Sequence, residues 1–367
     1  MLYSTYILYN VELLNKNSKK CGNRLMQQTE KKVLNKNLHS AKKGKNDEFY
    51  TQLEDIGREL KHYKEHFKDK VVYCNCDDPR VSNFFHYFSY NFEKLGLKKL
   101  ITTCYKNKNR DLFSENNSEM AIYLEYTGDK NGDKVPNPEE IGVHELKGDG
   151  DFRSEESIEL LKQADIVVTN PPFSLFREYV AQLIEYDKKF VIVGSLNALT
   201  YKEIFKYIKE NKLWLGYGFL GGNAYFKTNH STDDFAKGVY DEKTGLVKFR
   251  NIHWFTNLDI EKRHEEFTLY KNYTSDEYPF YDNYDAIEVS KTKDIPLDYD
   301  GVMGVPITFL DKYNPKQFKI LGMSASAGYS EDVVGIPSFL GNKDARPLIN
   351  SKNTYARVFI KNRKLEA

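Results

Sequence analysis

The apolar positions of the chain follow two spacings from residue 47 onward, one typical of amphipathic helices and one typical of buried strands. Leu53, Ile56, Leu60, Tyr63 and Phe67 recur at helical intervals, for example, and predict a helix within residues 51–67. The same reasoning predicts helices over residues 78–96, 154–163, 174–186 and 200–210, and short strands over residues 71–74, 99–104, 122–126, 165–169 and 190–194.

Strands that alternate with helices in this way predict an α/β fold. Right-handed crossovers should then build a mostly parallel, twisted sheet with helices on both faces, and 122–126 reads as an inserted strand. Asp78 is expected to be the N-cap of the second helix, with Pro79 at its first position and Gly96 at its end. Ligands of such sheets bind beyond the carboxyl ends of the strands.

The alternation of predicted helices and strands ends after Trp214. Residues 214–257 are rich in Gly, Tyr and Phe and predict short antiparallel strands, with a hairpin turn at residues 241–245. Residues 258–367 mix charged loops with brief apolar runs and predict an irregular α+β region. We therefore expect an arm over residues 1–40, an α/β domain over 41–216, and the end of the sheet with a second region over 217–367.

Composition and targeting signals favour a cytoplasmic enzyme. The 367 residues suffice for about two domains, and no apolar run approaches the roughly 20 residues of a membrane span. Met1–Leu14 is apolar but lacks a basic start and a small-residue cleavage site, so we do not expect a signal peptide. The four cysteines form no CxxC pair, which predicts reduced thiols and no zinc site.

Charge is distributed unevenly, although the whole chain carries only +1. Residues 1–46 hold ten Lys and Arg against two Glu, a net +8, which leaves −7 for the remainder. A basic arm ahead of an acidic body could contact a phosphate backbone. A solvated, disordered tail is an equally good interpretation of residues 1–38.

Asn170, Pro171, Pro172 and Phe173 follow directly on the predicted strand 165–169 and suit methylation of an exocyclic amine. An aromatic NH2 group is a poor nucleophile because its lone pair is delocalised into the ring. If the Asn170 side-chain oxygen and the Pro171 carbonyl each accept one N–H, the lone pair is freed. The prolines fix the backbone, and Phe173 offers a face on which a base can stack. The alternative is an Asn-Pro turn that merely ends a strand.

Longer segments resemble the EcoRI-type adenine-N6 DNA modification methyltransferases. The resemblance covers most of residues 40–312 and is far more specific than the four-residue motif. It rests on residues 47–52, 71–85, 148–154, 165–179, 214–216, 281–287, 291–299 and 301–310, and it returns near 355–362.

This resemblance implies a Rossmann-like methyltransferase fold with S-adenosylmethionine as the methyl donor. Residues 41–216 would form its catalytic domain, and residues 217–367 would include its target-recognition region. The implied catalytic residues are the Asn170–Phe173 motif.

Cofactor contacts are implied by position in the same resemblance. Tyr50 and Thr51 match the segment that closes over the methionine part. The turn after the first strand, which is Gly-rich elsewhere in the wider class, supplies Asn75, Asp77 and Asp78, with Asp77 favoured for the cofactor ammonium. Asp151 is expected to accept a hydrogen bond from the cofactor adenine, and Phe152 is expected to pack against the adenine ring. Phe176 would form a second wall of the adenine pocket, or else it belongs to the core.

The expected function is transfer of a methyl group to N6 of an adenine flipped out of double-stranded DNA, without a metal or a nucleophilic Cys. The family implies a Type II restriction-modification system, a GAATTC site methylated at its inner adenine, a monomer, and an endonuclease paired in function but not bound. Candidates for base reading are Asn223, Lys227, Asn229, His230, Lys237, Lys248 and Arg250.

Two other classes remain open on the motif alone. A ribosomal RNA or protein amino-methyltransferase could use the same Asn-Pro-Pro-Phe sequence. A non-catalytic DNA-binding protein on a degenerate fold is the third interpretation, although an intact motif argues against it.

Overall fold

The computed structural model describes residues 49–76, 82–103, 121–133, 135–137, 139–227, 238–324 and 346–365. The predicted arm over residues 1–40 lies outside them, as do Asp77 and Asp78. Chain contacts divide the described residues into two units. The first holds the residues up to Ser195 together with Gly218–Trp254, and the second holds Leu196–Tyr217 together with the residues from Phe255 onward. The predicted division into residues 41–216 and 217–367 stays a prediction.

Secondary structure follows the predicted alternation closely. The α-helices of the described residues are α1 Leu53–Leu60, α2 Lys64–Phe67, α3 Asn83–Tyr90, α4 Phe92–Leu95, α5 Glu155–Gln163, α6 Phe176–Glu185 and α7 Lys202–Lys209. The strands are β1 Tyr50–Thr51, β2 Val71–Cys74, β3 Lys99–Thr103, β4 Ile122–Tyr126, β5 Ile141–Glu145, β6 Ile166–Thr169, β7 Lys189–Ser195, β8 Trp214–Leu215, β9 Ala224–Lys227, β10 Tyr240–Asp241, β11 Leu246–Phe249, β12 Ile252–Thr256, β13 Ile287–Glu288, β14 Met303–Pro306, β15 Phe318–Met323, β16 Leu348–Ile349, β17 Lys352–Asn353 and β18 Arg357–Asn362.

A large mixed sheet forms the centre of the first unit. Its four middle strands run in the order β3-β2-β6-β7 and are parallel. Strands β4 and β5 extend one edge in antiparallel fashion, so 122–126 is an inserted strand as predicted. Strand β12 follows β7 at the other edge. Every residue of β2 and β6 is buried, as expected for strands covered on both faces.

Strand order reverses at β2 and β6. The chain places β3 on one side of β2, and after the β4–β5 insertion and α5 it places β6 on the other side. The carboxyl ends of β2 and β6 therefore flank the point at which an open α/β sheet forms a crevice. Asn75 follows β2 there, and Asn170 follows β6.

The start of α3 differs from the predicted one. Helix α3 begins at Asn83, and its N-cap is Ser82, whose Oγ accepts a hydrogen bond from the Phe84 N–H at 3.2 Å. Asp78 was predicted to cap this helix, but a cap must directly precede the first helical turn, and Ser82 occupies that place. Gly96 ends α4 with a φ of 62°, and Ser154 caps α5, both as predicted.

A smaller antiparallel sheet in the first unit has the order β1-β9-β11-β10. Strands β10 and β11 form the predicted hairpin, and Gly245 in its turn has a φ of 68°. In β9, buried Ala224 and Phe226 alternate with exposed Tyr225 and Lys227. The sheet thus has one inner face and one outer face.

The second unit contains a sheet in the order β13-β14-β18-β15. Within this unit, the last two residues of β12 pair with β8. The Arg357 side chain is buried against Glu288, with Nη2 at 2.6 Å from a carboxylate oxygen, and the Tyr281 hydroxyl donates to the same carboxylate. None of the described helices is long and apolar enough to cross a membrane.

Candidate active site

Asn75 connects the two strand ends that flank the crevice. Thr169 donates a hydrogen bond through Oγ1 to the Asn75 main-chain carbonyl, and the Tyr179 hydroxyl on α6 donates to Asn75 Oδ1. Burial raises the pKa of Tyr179 well above its ordinary value, so its hydroxyl stays protonated and acts as a donor. The loop after β2 is therefore fixed to β6 and α6.

Asn170 is 6% exposed and carries the most informative polar group of the site. Its Nδ2 donates to the main-chain carbonyl of Phe49, whereas its Oδ1 is buried and has no partner. Leaving a buried acceptor unsatisfied costs about 1–3 kcal/mol. The side chain thus presents an acceptor whose bonding capacity is unused within the protein.

The other three residues of the motif lead from the end of β6 toward α6. Pro171 is buried, and Pro172 and Phe173 are half-buried. Phe173 begins a 3₁₀ turn that leads into α6. Its ring is nearly parallel to that of Phe49, with an interplanar angle of 19° and 6.0 Å between centroids.

Tyr50 and Thr51 form β1 and pair with β9. Both are buried, and the Thr51 carbonyl accepts a hydrogen bond from Asn83 Nδ2 on α3 at 2.7 Å. Thr51 Oγ1 is a second buried polar atom without a partner. A hydroxyl of this kind can still donate to a ligand, which fits the role predicted from the sequence.

Asp151 is already paired inside the protein. Its two carboxylate oxygens accept from Arg153 Nε at 2.8 Å and from Arg153 Nη2 at 2.7 Å. Burial favours the neutral acid, but the hydrogen bonds and charge of Arg153 outweigh it and lower the pKa of Asp151. Each oxygen retains lone pairs beyond these bonds, so its contact with a cofactor adenine stays a prediction.

The two predicted aromatic contacts differ in their surroundings. Phe152 is buried and meets the ring of Tyr179 edge to face, with 5.0 Å between centroids. Phe152 thus packs against the same tyrosine that donates a hydrogen bond to Asn75. Phe176 is 2% exposed and packs against Gly194, where an added Cβ would lie 2.3 Å from the Phe176 ring. This packing supports a core role for Phe176, and its part in a cofactor pocket stays a prediction.

Three aromatic residues of the site were not singled out from the sequence. Phe49 contacts Phe226 on β9 at 6.0 Å and Phe249 on β11 at 5.0 Å, and Phe226 also lies 6.5 Å from Phe173. The apolar-polar alternation of residues 224–227 was the available signal, because it marks a strand with one buried face. Which surface that face covers depends on contacts distant in sequence.

Comparison with known proteins identifies the family of the chain. A sequence profile described as "Adenine-specific methyltransferase EcoRI" matches residues 37–363. The chain is 51% identical over 337 residues to the Type II methyltransferase M.EcoRI of Escherichia coli, covering 90% of this chain and 98% of that protein.

Two relatives from other bacteria match over a similar length. The Type II methyltransferase M.MgeORF184P of Mycoplasma genitalium is 41% identical, covering 89% of this chain and 99% of that protein. M.MpnI of Mycoplasma pneumoniae is 39% identical, covering 89% and 98%. No solved structure gives a significant match.

Proposed function

Because the chain belongs to the EcoRI family of adenine-specific methyltransferases, we propose that it methylates N6 of an adenine flipped out of duplex DNA, within GAATTC at the inner adenine. It is an enzyme, and its relatives are named as Type II methyltransferases. The GAATTC site rests on the sequence resemblance and on the 51% identity to M.EcoRI.

The observation that carries the proposal is the unpartnered Oδ1 of Asn170. Its Nδ2 donates to the Phe49 carbonyl, so the oxygen is the end of the amide that has no partner within the protein. An acceptor at this place suits the N–H of an exocyclic amine. It would not suit a substrate group that can only accept.

The residues then act by positioning. Asn170 Oδ1 accepts one N–H of the adenine amine and the Pro171 carbonyl accepts the other, which moves the nitrogen lone pair out of conjugation. Phe173 stacks the flipped base, and the fixed backbone of Pro171 and Pro172 limits its movement. Neither a nucleophile nor an acid-base residue is needed at the motif, because the proton of the methylated amine can pass to solvent.

S-adenosylmethionine supplies the methyl group on a positively charged sulfur, and the residues present fit this cofactor. The buried, unpartnered Thr51 Oγ1 can donate to its carboxylate. Asn75 follows β2 at the reversal of strand order, and Phe152, which Asp151 directly precedes, packs on the Tyr179 ring that is hydrogen-bonded to Asn75, which supports a Rossmann-like methyltransferase fold. Tyr50, Phe176, and Asp77 and Asp78 beyond the described residues, complete the proposed contacts.

DNA would be contacted by the outer face of the smaller sheet. Tyr225 is 39% exposed, and Lys248 Nζ lies 5.8 Å from the centre of its ring. Lys227 on β9 and Arg250 after β11 are exposed as well. Basic and aromatic side chains together on one surface suit a phosphate backbone and exposed bases. Asn229, His230 and Lys237, also proposed for base reading, lie outside the described residues.

We also propose a cytoplasmic monomer that acts on double-stranded DNA, paired in function with a restriction endonuclease that it does not bind. These statements rest on the family resemblance. A monomer on a palindromic site would methylate its two strands in separate binding events.

One experiment tests the function directly. The full chain is expressed in a host that lacks adenine methylation, and N6-methyladenine is mapped across the host genome. We expect modification confined to GAATTC at the inner adenine. Modification of another short motif would refute the proposed site, and active protein that modified ribosomal RNA or protein instead of DNA would refute the proposed substrate.

Asn170→Ala tests the role of the motif. We expect the variant to bind S-adenosylmethionine and DNA but to lose methyl transfer by about 10²- to 10³-fold, the usual effect of removing one transition-state hydrogen bond. Single-turnover transfer of a labelled methyl group measures this loss. A variant with near wild-type rate would show that Oδ1 does not contact the amine.

A further inference from the structure

We propose that the smaller sheet β1-β9-β11-β10 is a positioning element that sets the orientation of the Asn170 side-chain amide through the main-chain carbonyl of Phe49. The inference rests on the proposed function, since it concerns how the acceptor for the adenine amine is aimed. It assigns positioning roles to Phe49, Phe226 and Phe249, which lie outside the Asn170–Phe173 motif.

The first step concerns the two ends of an amide. Asn has a donor and an acceptor of nearly equal size, so packing alone does not decide which one faces the substrate. In this site Nδ2 donates to the Phe49 carbonyl, and Oδ1 is left without a partner. A reversed amide would place two carbonyl oxygens together and present N–H groups to the amine. The Phe49 carbonyl therefore selects the productive orientation.

The second step concerns what fixes this carbonyl. Phe49 directly precedes β1, whose Tyr50 and Thr51 pair in antiparallel register with Lys227 and Phe226 of β9. A change in this pairing would displace the Phe49 main chain relative to β6. The Thr51 carbonyl is also held by Asn83, so the segment is fixed on both sides.

The third step concerns the inner face of the sheet. Phe226 opposes Thr51 on one side and Val247 on the other, and all three are fully or almost fully buried. The ring of Phe249 meets that of Phe49 edge to face at 5.0 Å, and the ring of Phe226 lies 6.0 Å from Phe49. Two strands from late in the chain thus support the residue that orients Asn170.

The outer face gives this arrangement a consequence. Tyr225 and Lys248 lie opposite each other on β9 and β11 and point away from the aromatic cluster, with Lys248 over the Tyr225 ring. Contacts made by these side chains act on the same two strands that support Phe49. DNA contact on the outer face and orientation of the Asn170 amide on the inner face are then linked through the strands of one sheet.

Phe249→Leu tests the proposal, because Phe249 contacts Phe49 while lying on a different strand from the motif. We expect the single-turnover rate to fall by about 10- to 100-fold, the effect of a misplacement of about 1 Å. The dissociation constants for DNA and S-adenosylmethionine should change by less than about threefold. Phe249→Tyr retains the ring and should recover most of the rate.

Phe92→Leu is the matched control. The ring of Phe92 on α4 meets that of Tyr126 on β4 edge to face at 5.0 Å, outside the cluster of Phe49, Phe226 and Phe249. This variant should keep a rate within about threefold of wild type. Circular dichroism and thermal unfolding establish that each variant is folded.

Three outcomes would overturn the inference: a wild-type rate for Phe249→Leu, an equal loss in Phe92→Leu, or a loss of DNA affinity as large as the loss of rate. The wild-type protein run in parallel separates this result from the proposed function. If the wild type failed to methylate adenine in DNA, the proposed function would fail first.

Discussion

Asn170→Asp gives the sharpest test of the way in which the Asn170 amide is held. The substitution keeps the size of the side chain and one acceptor oxygen, but it replaces the Nδ2 donor by a second oxygen. That oxygen would face the Phe49 carbonyl in a place that is 6% exposed. Two acceptors repel each other, and a buried carboxylate loses most of its hydration. A proton on the new carboxyl would restore the hydrogen bond to Phe49.

The size of the effect follows from these two terms. A lost hydrogen bond that leaves buried acceptors unsatisfied costs about 1–3 kcal/mol, and desolvation of the charge adds at least as much. A total of about 3–4 kcal/mol corresponds to two or three pKa units at 1.36 kcal/mol each. The pKa of the new carboxyl should therefore rise from about 3.9 to about 6–7. Only the protonated form reproduces the wild-type arrangement.

The expected result is a methylation rate that falls as pH rises. Single-turnover transfer is measured from about pH 5.5 to about pH 8.5, and the variant should lose up to tenfold per pH unit above its pKa. The wild-type amide does not titrate, so its rate serves as the reference for other pH effects. A variant rate that follows the wild-type profile, or that rises with pH, would refute the assigned hydrogen bond.

Two further predictions concern the surroundings of the site and the second unit. Asp151→Asn should weaken the protein near neutral pH by about 1 kcal/mol, because a partly exposed ion pair with Arg153 is lost. The pKa of Asp151 is lowered in the folded state, so the stabilisation is present above about pH 4 and is lost as pH falls through the folded pKa. The urea midpoints of variant and wild type should therefore converge in acid. Arg357→Met should destabilise the second unit by about 3–5 kcal/mol, because it leaves the Glu288 carboxylate buried without its cation. Thermal unfolding should show recovery in the double variant with Glu288→Gln, and equal stability of the single variant and wild type would contradict the buried pair.

Local sequence signals predicted much of this structure. Apolar spacing predicted the helices and strands from residue 51 to residue 210 except β5, and Ser154, Gly96 and the 241–245 turn were placed from their local chemistry. The start of α3 was predicted wrongly. Asp78 and Ser82 are both good capping residues. Capping chemistry alone therefore does not choose between them, and the helix begins after Ser82.

Long-range pairing limited the prediction of the site. Asn170 was identified from its own segment, but its hydrogen bond to Phe49 joins residues 121 positions apart. Pairing of β1 with β9 spans an even longer stretch of chain. Apolar periodicity predicts that a strand has a buried face, but it does not predict which partner covers that face. Phe226 and Phe249 were for this reason assigned only to a region rich in aromatic residues.

If the outer face of the smaller sheet contacts DNA as proposed, its two faces separate sequence specificity from catalysis. Side chains alternate strictly along a strand, so Tyr225 and Lys227 lie on the opposite face from Phe226. Substitution on the outer face changes the contacts available to DNA and leaves the packing of Phe49, Phe226 and Phe249 in place. A one-residue shift in the pairing of β1 with β9 would exchange the faces and remove both functions together. Under the proposed roles of the two faces, catalysis depends on the register of this sheet, whereas the choice of DNA sequence depends on the identity of its exposed side chains.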